Sequence, residues 1–343
     1  MGNIDKKNKP TSKSRSIRYI FTAGFIVAAV VVLMPKVSTF KEIESVLLSM
    51  PLWLVLLAMI AQICSYIGSG YMLKSIMEEL KLRMSVRRGI LITMSSASVG
   101  MLVGGIVGSA AATYHWASRS NNDTGEAIMA GVLPTLYNTV VLTFITLIGI
   151  AYLLFKHELS RIQIIGYGSA LAIIVVVVFF VIFGLRNHEK LGNVTLKIAA
   201  MLNRHRKHKF DLEELESNIS AFSNGIRLLS RKGLIRIGVG SISNILFDML
   251  TLYIFFAASG HRVKPSVLIA GYSLAFLVTR AAFIAPGGVG LTESSMAAVF
   301  ANLGVQNHIA VIVVIGYRLA SFWLPSLIGF AVIPYLNKTS KDS

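Results

Sequence analysis

The amino-acid sequence predicts an all-α polytopic membrane protein with two inverted-topology halves, about six full spans and two re-entrant or broken helix hairpins. Its 343 residues are 54% hydrophobic and only 14% charged, with a mean hydropathy of +0.68. Apolar runs long enough to cross a bilayer recur along the chain. The third observation is a helix-breaking Pro286-Gly287-Gly288 inside one such apolar run.

The charge balance is strongly basic, with 33 Lys and Arg against 16 Asp and Glu and a formal net charge of +17. In a soluble protein this excess would suggest nucleic-acid binding. Here the basic residues lie in loops and tails, where the positive-inside rule and contact with anionic lipid account for them. We therefore expect membrane phospholipids, anionic or aminoacylated, as partners, and no nucleic acid.

The sequence offers little for catalysis. Cys64 is the only cysteine, which excludes an intrachain disulfide or a cysteine-based zinc site. The sequence contains no His-Glu-x-x-His zinc motif, Gly-x-Ser-x-Gly elbow or Walker loop. We expect no cofactor, no metal and no catalytic residues, and hence a protein that is not an enzyme.

A basic tail at 1–17 precedes the first transmembrane half, which we place at 18–185. The apolar run at 19–34 ends without a small-residue cleavage site, so we interpret it as an uncleaved anchor and not as a signal peptide. The other spans predicted in this half lie at 46–73, 127–155 and 162–185.

The segment 90–116 is too short for two spans and contains the glycine pair Gly104-Gly105. The basic segment 186–209 should be cytoplasmic, and the two spans before it then place 118–126 on the cytoplasmic side as well. Both ends of 90–116 would therefore lie on one face of the membrane. Parity predicts a re-entrant hairpin bent at Gly104-Gly105, with a full span as the alternative.

A cytoplasmic basic linker at 186–233 should carry an amphipathic helix at 211–231, because apolar residues recur there at spacings of three and four. The second transmembrane half follows at 234–337 and a cytoplasmic tail at 338–343. The elements predicted in that half are two spans at 234–258 and 309–335, with a hairpin between them at 267–303. This arrangement places both termini in the cytoplasm of a multi-pass protein of the plasma membrane.

An internal repeat follows from this layout. A shift of 183 residues places Gly104-Gly105 on Gly287-Gly288 and 127–155 on 310–338. The two units start from opposite faces, so the repeat should have inverted topology. That arrangement is typical of transporters, whose binding sites lie near the bilayer midplane where broken helices meet.

The break itself is the first candidate for a site. Pro286 removes a backbone donor and clashes with the preceding turn, whereas Gly287 and Gly288 allow positive φ and close approach of another group. Polar backbone freed at membrane depth is tolerated only against protein or a wet cavity. We predict that a new helix starts near Gly290, with Glu293 in its first turn, where the helix dipole favours negative charge.

Ionisable side chains inside apolar segments are the second candidates, because they are costly unless paired or hydrated. Arg280 and Arg318 beside the positive end of a broken helix would suit a phosphate group. Glu293 and Asp248 would pair with them, contact a cationic headgroup or carry a coupling proton. The alternative is that Glu293–Arg318 and Asp248–Arg280 are only buried ion pairs. The full set of predicted substrate-binding residues is Asn244, Asp248, Arg280, Pro286, Gly287, Gly288, Gly290, Glu293 and Arg318.

The residues from Pro286 to Glu293 match a Pro-Gly-Gly-x-Gly-x-x-Glu signature. In this the chain resembles the lysylphosphatidylglycerol synthase transmembrane, or flippase-like, family, which includes UPF0104-type membrane proteins. Tyr317-Arg318-Leu319 and the segment 244–248 also resemble that family. The first-half segment 103–109 departs from the pattern of many relatives, since it lacks the proline and the charged residues.

In the best-known member of that family, the multiple peptide resistance factor, this domain translocates aminoacylated phosphatidylglycerol, which a separate soluble domain synthesises. No such soluble domain is expected in this chain. The resemblance therefore implies a lipid flippase-like transporter of a phospholipid or other phosphate-bearing lipid, which could be aminoacylated phosphatidylglycerol. The alternative function is a non-transporting scaffold or accessory subunit for a lipid-modifying enzyme or glycosyltransferase. A homo-oligomer and a partner lipid-modifying enzyme both stay open.

Overall fold

The computed structural model describes residues 50–102, 105–118, 124–155, 228–281 and 288–339, with scattered positions between 164 and 220. The basic tail at 1–17 and the predicted span at 19–34 lie outside the described residues. So do most of the predicted span at 162–185 and of the amphipathic helix at 211–231. The described residues form helices joined by turns and loops, and none of them is in a strand. This confirms the all-α class.

The described helices are here numbered α1 to α9 in chain order. They are α1 Leu52–Glu79, α2 Val86–Leu102, α3 Gly105–Ser118, α4 Thr124–Phe155, α5 Arg231–Ala258, α6 Pro265–Ala281, α7 Leu291–Asn302, α8 Asn307–Arg318 and α9 Leu324–Thr339. A π-helical turn, Leu319–Trp323, joins α8 to α9 without interrupting the rod.

Four of the described helical segments are long and apolar enough to cross a bilayer. They are Leu52–Glu79, Met129–Leu153, Arg231–Ala258 and Asn307–Thr339. Each contains most of a span predicted from hydropathy, with ends that differ by a few residues. The chain is therefore a multi-pass membrane protein.

The outer faces of these rods carry large exposed apolar side chains at helical spacing. On α1, Ile60 and Ile63 are each 58% exposed, and Ile67 follows four residues later. On α5, Ile235 and Val239 are likewise exposed. Contiguous apolar surface of this kind is rare on soluble monomers, and it matches the hydrocarbon of a bilayer.

The two predicted hairpins are pairs of short helices in the structure. α2 ends at Leu102 and α3 begins at Gly105, whose φ of +54° is in the glycine-favoured region. α6 ends at Ala281 and α7 begins at Leu291. Both helix breaks therefore occur where the glycine pairs predicted them.

The two halves, α1–α4 and α5–α9, repeat the same series of elements. α1 and α5 each have 28 residues, and α2 and α6 each have 17. A six-residue connection joins α1 to α2 and another joins α5 to α6. Each begins with the same turn, in which Lys81 has φ +61° and Gly260 has φ +79°. In the first turn the backbone amide of Leu82 donates to the Met77 carbonyl at 2.9 Å. In the second, the backbone amide of His261 donates to the Phe256 carbonyl at 3.1 Å.

Packing between the halves is reciprocal. α2 of the first half packs on α9 of the second, whereas α6 of the second half packs on α4 of the first. α1 and α5 pack on each other along their lengths. An exchange of equivalent contacts is what a two-fold relation between two repeats produces.

The crossing of α1 and α5 shows this relation at single residues. Ser65 and Asn244 are each the fourteenth residue of their helix, 179 positions apart. The Ser65 hydroxyl donates to the backbone carbonyl of Asn244 at 3.0 Å, and the side-chain amide of Asn244 donates back to the backbone carbonyl of Ser65 at 3.2 Å. A methyl group added at Gly68 would lie 2.6 Å from the backbone nitrogen of Asn244, so the close approach of the two helices requires glycine there. For the helices that precede the two breaks, equivalent residues of the two halves are thus 179 positions apart.

The predicted inversion of the halves can be tested at Arg83 and Arg262, which are exposed and occupy equivalent places in the six-residue connections. We expect cysteine at 262, but not at 83, to react with an impermeant thiol reagent in intact cells, in a Cys64→Ser background. Permeabilised cells, in which both should react, are the control for accessibility. Equal labelling of both positions in intact cells would show parallel halves.

Candidate functional site

The second helix break is held by its own local hydrogen bonds. Gly290 has φ +79° and precedes the first residue of α7. Its amide donates to Oε2 of Glu293 at 2.7 Å, which provides an acceptor for an amide that has none within the helix. Gly288, at φ +62°, has its carbonyl bonded by the Thr292 hydroxyl at 2.9 Å. The predicted helix start at Gly290, with Glu293 in the first turn, is confirmed.

The other carboxylate oxygen of Glu293 binds Arg318. Arg318 Nε lies 2.8 Å from Glu293 Oε1, and the two side chains are 6% and 20% exposed. The guanidinium carbon sits 4.2 Å from the centre of the Phe322 ring, a cation–π distance. Arg318 Nη2 is buried without a hydrogen-bond partner among the residues that the structure describes. The predicted pairing of Glu293 with Arg318 is therefore present, and it is compatible with a substrate-binding role as well as with a purely structural one.

The π-helical turn directly follows Arg318, and its cause is in the sequence. Pro325 has no amide proton, so the carbonyl of Ser321 four residues earlier lacks its α-helical donor. The hydroxyl of Tyr66 on α1 donates to that carbonyl at 3.1 Å. Widened turns of this kind are frequent at functional sites, and here the turn begins at the residue after Arg318.

Asp248 is the centre of a second polar cluster. Its Oδ2 accepts hydrogen bonds from the Tyr272 hydroxyl at 2.6 Å and the Tyr317 hydroxyl at 2.5 Å. The side chain of Gln62 on α1 also lies beside this carboxylate. Helices α1, α5, α6 and α8 therefore converge on one acidic group. The side chain of Arg280, the predicted partner of Asp248, lies outside the described residues.

A cavity of about 330 Å³ lies between the two helix breaks. Gly105 of the first break and Gly288 of the second both line it. Phe322, whose ring is covered by Arg318, forms another part of its wall. Its polar lining is made of hydroxyl and amide side chains from both halves, namely Ser69, Thr93, Ser96, Ser109, Thr113, Thr135, Asn138 and Thr279.

The predicted site residues are thus divided among different places. Of them, Gly288 lines the cavity. Glu293, Arg318 and Gly290 form one chain of hydrogen bonds behind it, and Asp248 forms a separate cluster with tyrosines. Asn244 belongs to the crossing of α1 and α5. Pro286 and Gly287 lie outside the described residues.

Sequence reasoning missed the hydroxyl groups of the first half. Thr93, Ser96, Ser109 and Thr113 supply half of the polar lining side chains, yet none of them is among the predicted site residues. The usable signal was the density of serine and glycine from 95 to 109 in a predicted membrane hairpin. A small-residue hairpin next to a glycine pair indicates close packing or a cavity.

Comparison with known proteins gives a consistent family match. The family model described as Lysylphosphatidylglycerol synthase TM region matches residues 20–329. A UPF0104 membrane protein of Methanothermobacter thermautotrophicus is 26% identical over 208 residues, covering 59% of this chain and 60% of that protein. A UPF0104 membrane protein of Pyrococcus horikoshii is 25% identical over 221 residues, covering 61% and 64%. Each of these two matches therefore spans about six tenths of the length of the relative.

Proposed function

The chain belongs to the lysylphosphatidylglycerol synthase transmembrane-region family, and from that premise we propose that it is a flippase-like transporter of lipids. The substrate would be a phospholipid or another phosphate-bearing amphipathic lipid, moved between the leaflets of the cell membrane. In this proposal the chain is not an enzyme, its partners are membrane lipids, and both termini are cytoplasmic.

The observation that carries the proposal is the cavity between the two helix breaks. Transporters with repeated halves bind substrate where discontinuous helices of both halves meet, near the middle of the bilayer. Here Gly105 and Gly288 bring both breaks to one space. Irregular backbone at membrane depth is stable only when it is packed in protein or lines a cavity, and this backbone does the latter.

Two features of the fold would allow the halves to move. Exchanged packing, α2 on α9 and α6 on α4, makes each hairpin part of the opposite half's wall. The crossing of α1 and α5 is held at its centre by the two hydrogen bonds between Ser65 and Asn244. A rocking motion about that crossing would shift both hairpins together, and it would expose the cavity first to one leaflet and then to the other.

The rival function is a non-transporting scaffold or accessory subunit for a lipid-modifying enzyme or glycosyltransferase. The ion pair of Glu293 and Arg318 is compatible with such a rigid role. Transport activity of the purified chain discriminates the two functions, because a scaffold should move no lipid by itself. Liposomes with fluorescent phospholipids, quenched from outside by a membrane-impermeant reductant, give this measurement.

A matched pair of glycine substitutions tests whether the cavity at the break is the site. A methyl group at Gly288 would lie 2.6 Å from Thr279 Cγ2 and 2.8 Å from Thr292 Oγ1. Such distances require the side chains of Thr279, which lines the cavity, and of Thr292 to shift. We expect Gly288→Ala to reduce lipid movement at least tenfold.

Gly260→Ala is the control for backbone strain. Gly260 has φ +79°, close to the +62° of Gly288, but no atom lies within 4 Å of an added methyl group. Both substitutions should therefore cost about 1–2 kcal/mol in conformational strain, and only one should affect the cavity. Equal transport rates in the two variants would show that the cavity at Gly288 is not the transport site. A wild-type chain that moves no phospholipid would favour the scaffold.

A further inference from the structure

A side-chain amide in the cavity wall, that of Asn138 on α4, is held in place from the other half of the protein. The hydroxyl of Ser241 on α5 donates to Asn138 Oδ1 at 2.5 Å, and Ser241 is 0% exposed. Because the amide oxygen is held in this way, the NH2 group of Asn138 is the part that remains to bind a ligand. That NH2 group has no hydrogen-bond partner among the residues that the structure describes.

Two serine hydroxyls of the cavity lining also keep their protons. Ser69 on α1 and Ser109 on α3 both line the cavity, and neither hydroxyl donates to another residue in the part of the chain that the structure describes. Ser69 is only 7% exposed, so little bulk water reaches it. A buried donor without an acceptor is costly, and an acceptor oxygen of a ligand in the cavity would remove that cost.

The helix break of the first half adds backbone donors to the same space. α3 begins at Gly105, and both Gly105 and Ile106 line the cavity. The first amides of a helix have no acceptor within that helix, and the positive end of the helix dipole favours a negative charge. The cavity therefore combines amide and hydroxyl donors with a helix N-terminus.

A phosphate group is the part of a phospholipid that can use several such donors at once. A phosphodiester has acceptor oxygens and a negative charge, and hydrogen bonds to an ionised acceptor are about twice as strong as neutral ones. Helix N-termini are common binding sites for phosphate. The same phosphate is present whatever the headgroup carries beyond it, so this recognition is compatible with plain and with aminoacylated headgroups.

We propose that Asn138, positioned by Ser241, binds the phosphate of the transported lipid, with Ser69 and Ser109 as further donors. This inference rests on the proposed lipid transport and names the part of the substrate that the cavity recognises. Asn138 belongs to the first half and Ser241 to the second. A movement between the halves would therefore release the Asn138 amide and weaken its hold on the phosphate.

Lipid binding to the detergent-solubilised full chain tests this site without requiring transport. Phosphatidylglycerol is compared with a galactosyl diacylglycerol, which has no phosphate, by the rise in unfolding temperature that each lipid produces. We expect phosphatidylglycerol to give the larger rise with the wild type. Asn138→Asp places a second negative charge beside the phosphate and should lose about half of that rise or more.

Ser95→Ala is the matched control for this binding measurement. Ser95 is 0% exposed, and its hydroxyl joins α2 to α9 by donating to the Gly329 carbonyl at 3.0 Å, but it does not line the cavity. It should keep the wild-type response to phosphatidylglycerol. An Asn138→Asp variant that responds to phosphatidylglycerol as strongly as Ser95→Ala would overturn the proposal.

Transport in liposomes tests whether the phosphate is what Asn138 recognises. Asn138→Asp should slow the movement of labelled phosphatidylglycerol about tenfold or more. Lysyl-phosphatidylglycerol and phosphatidylethanolamine carry the same phosphodiester, so they should be slowed by a similar factor. A loss confined to one headgroup would overturn the phosphate assignment. If the wild type moves no lipid at all, the transport function is wrong, and the binding measurement alone decides the site.

A double-mutant cycle tests the positioning role of Ser241. Ser241→Ala should slow phosphatidylglycerol movement about threefold, the effect of one neutral hydrogen bond. In an Asn138→Leu background it should have no further effect, because Ser241 acts through Asn138. Asn138→Leu also replaces the aspartate variant in both assays if that variant does not fold. A Ser241→Ala effect that persists without the Asn138 amide would show a merely structural role and contradict the proposed positioning.

Discussion

Replacing Glu293 by Gln is expected to destabilise the folded protein by about 3–5 kcal/mol, the usual cost of leaving a buried partner charge uncompensated. The carboxylate accepts from two donors, the Gly290 amide and Arg318 Nε. Glutamine can offer its single oxygen to only one of these donors, and its NH2 group then faces the other donor. Because Arg318 is only 5% exposed, its guanidinium cannot recover the lost interaction from water. Thermal unfolding of the detergent-solubilised protein should show the loss.

Two control variants separate this effect from a general loss of charge. Glu78→Gln also removes a carboxylate that lies 2.9 Å from an arginine, Arg236, but those side chains are 33% and 41% exposed. Exposed ion pairs contribute about 0–1 kcal/mol, so this variant should unfold near the wild-type temperature. Glu293→Gln combined with Arg318→Gln removes both charges and should recover much of the stability.

The outcome of the double variant has a functional meaning. If it is stable and moves lipid, the ion pair serves only to hold α7 against α8. If it is stable and inactive, the charges take part in transport beyond their structural role. A Glu293→Gln variant that unfolds at the wild-type temperature would contradict the account of the pair as a stabilising contact.

Local rules were sufficient to predict where the helices break and restart. Pro286 and the glycines after it have consequences that depend only on neighbouring residues, and α7 begins at Leu291 with Glu293 in its first turn. Bilayer thickness fixes the length of a span, so hydropathy located the four described spans. The same hydropathy cannot fix their ends, since α1 extends to Glu79, well past the predicted end at residue 73.

The recurrence of the same elements in two halves was predicted, but with an incomplete offset. A shift of 183 aligned the glycine pairs, and it also relates the start of α4 at residue 124 to the start of α8 at residue 307. In α1 and α5 the offset is 179, as Ser65 and Asn244 show. The second break is longer than the first, so one shift cannot serve both sides of it. Only the end points of the helices reveal this difference.

Apart from the Glu293–Arg318 pair, which was one of the predicted alternatives, the tertiary partners could not be predicted from the sequence. Asp248 binds Tyr272 and Tyr317, which lie 24 and 69 positions away along the chain. Which face of each helix turns toward the others depends on the packing of four helices at once. The cavity is hidden for a similar reason, because threonine in a membrane helix most often bonds to its own backbone. Thr93 and Thr279 do so, and only the fold brings their oxygens to one space.

The tyrosine cluster gives the second large prediction. Asp248→Leu should destabilise the protein by about 2–6 kcal/mol, because two buried hydroxyls each lose an acceptor and each loss costs about 1–3 kcal/mol. Tyr272 is 3% exposed and Tyr317 is 0% exposed, so water cannot replace the carboxylate. Asp248→Asn keeps an oxygen at the position that both hydroxyls need, and it should be mild. Thermal unfolding measures both effects.

Removing the orphaned hydroxyls should reverse the defect, and this reversal distinguishes a hydrogen-bond effect from a packing effect. In a Tyr272→Phe, Tyr317→Phe background, Asp248→Leu leaves no tyrosine hydroxyl without its acceptor, and replacing both members of a hydrogen bond by apolar groups can be nearly neutral. Ser273→Ala is the local control, because Ser273 is buried beside Tyr272 but its hydroxyl bonds within α6, at 2.7 Å to the Ile269 carbonyl. It should change stability by less than about 1 kcal/mol. If Asp248→Leu is equally damaging with and without the tyrosine hydroxyls, then the shape of the side chain, and not its acceptor oxygens, is what the four helices require.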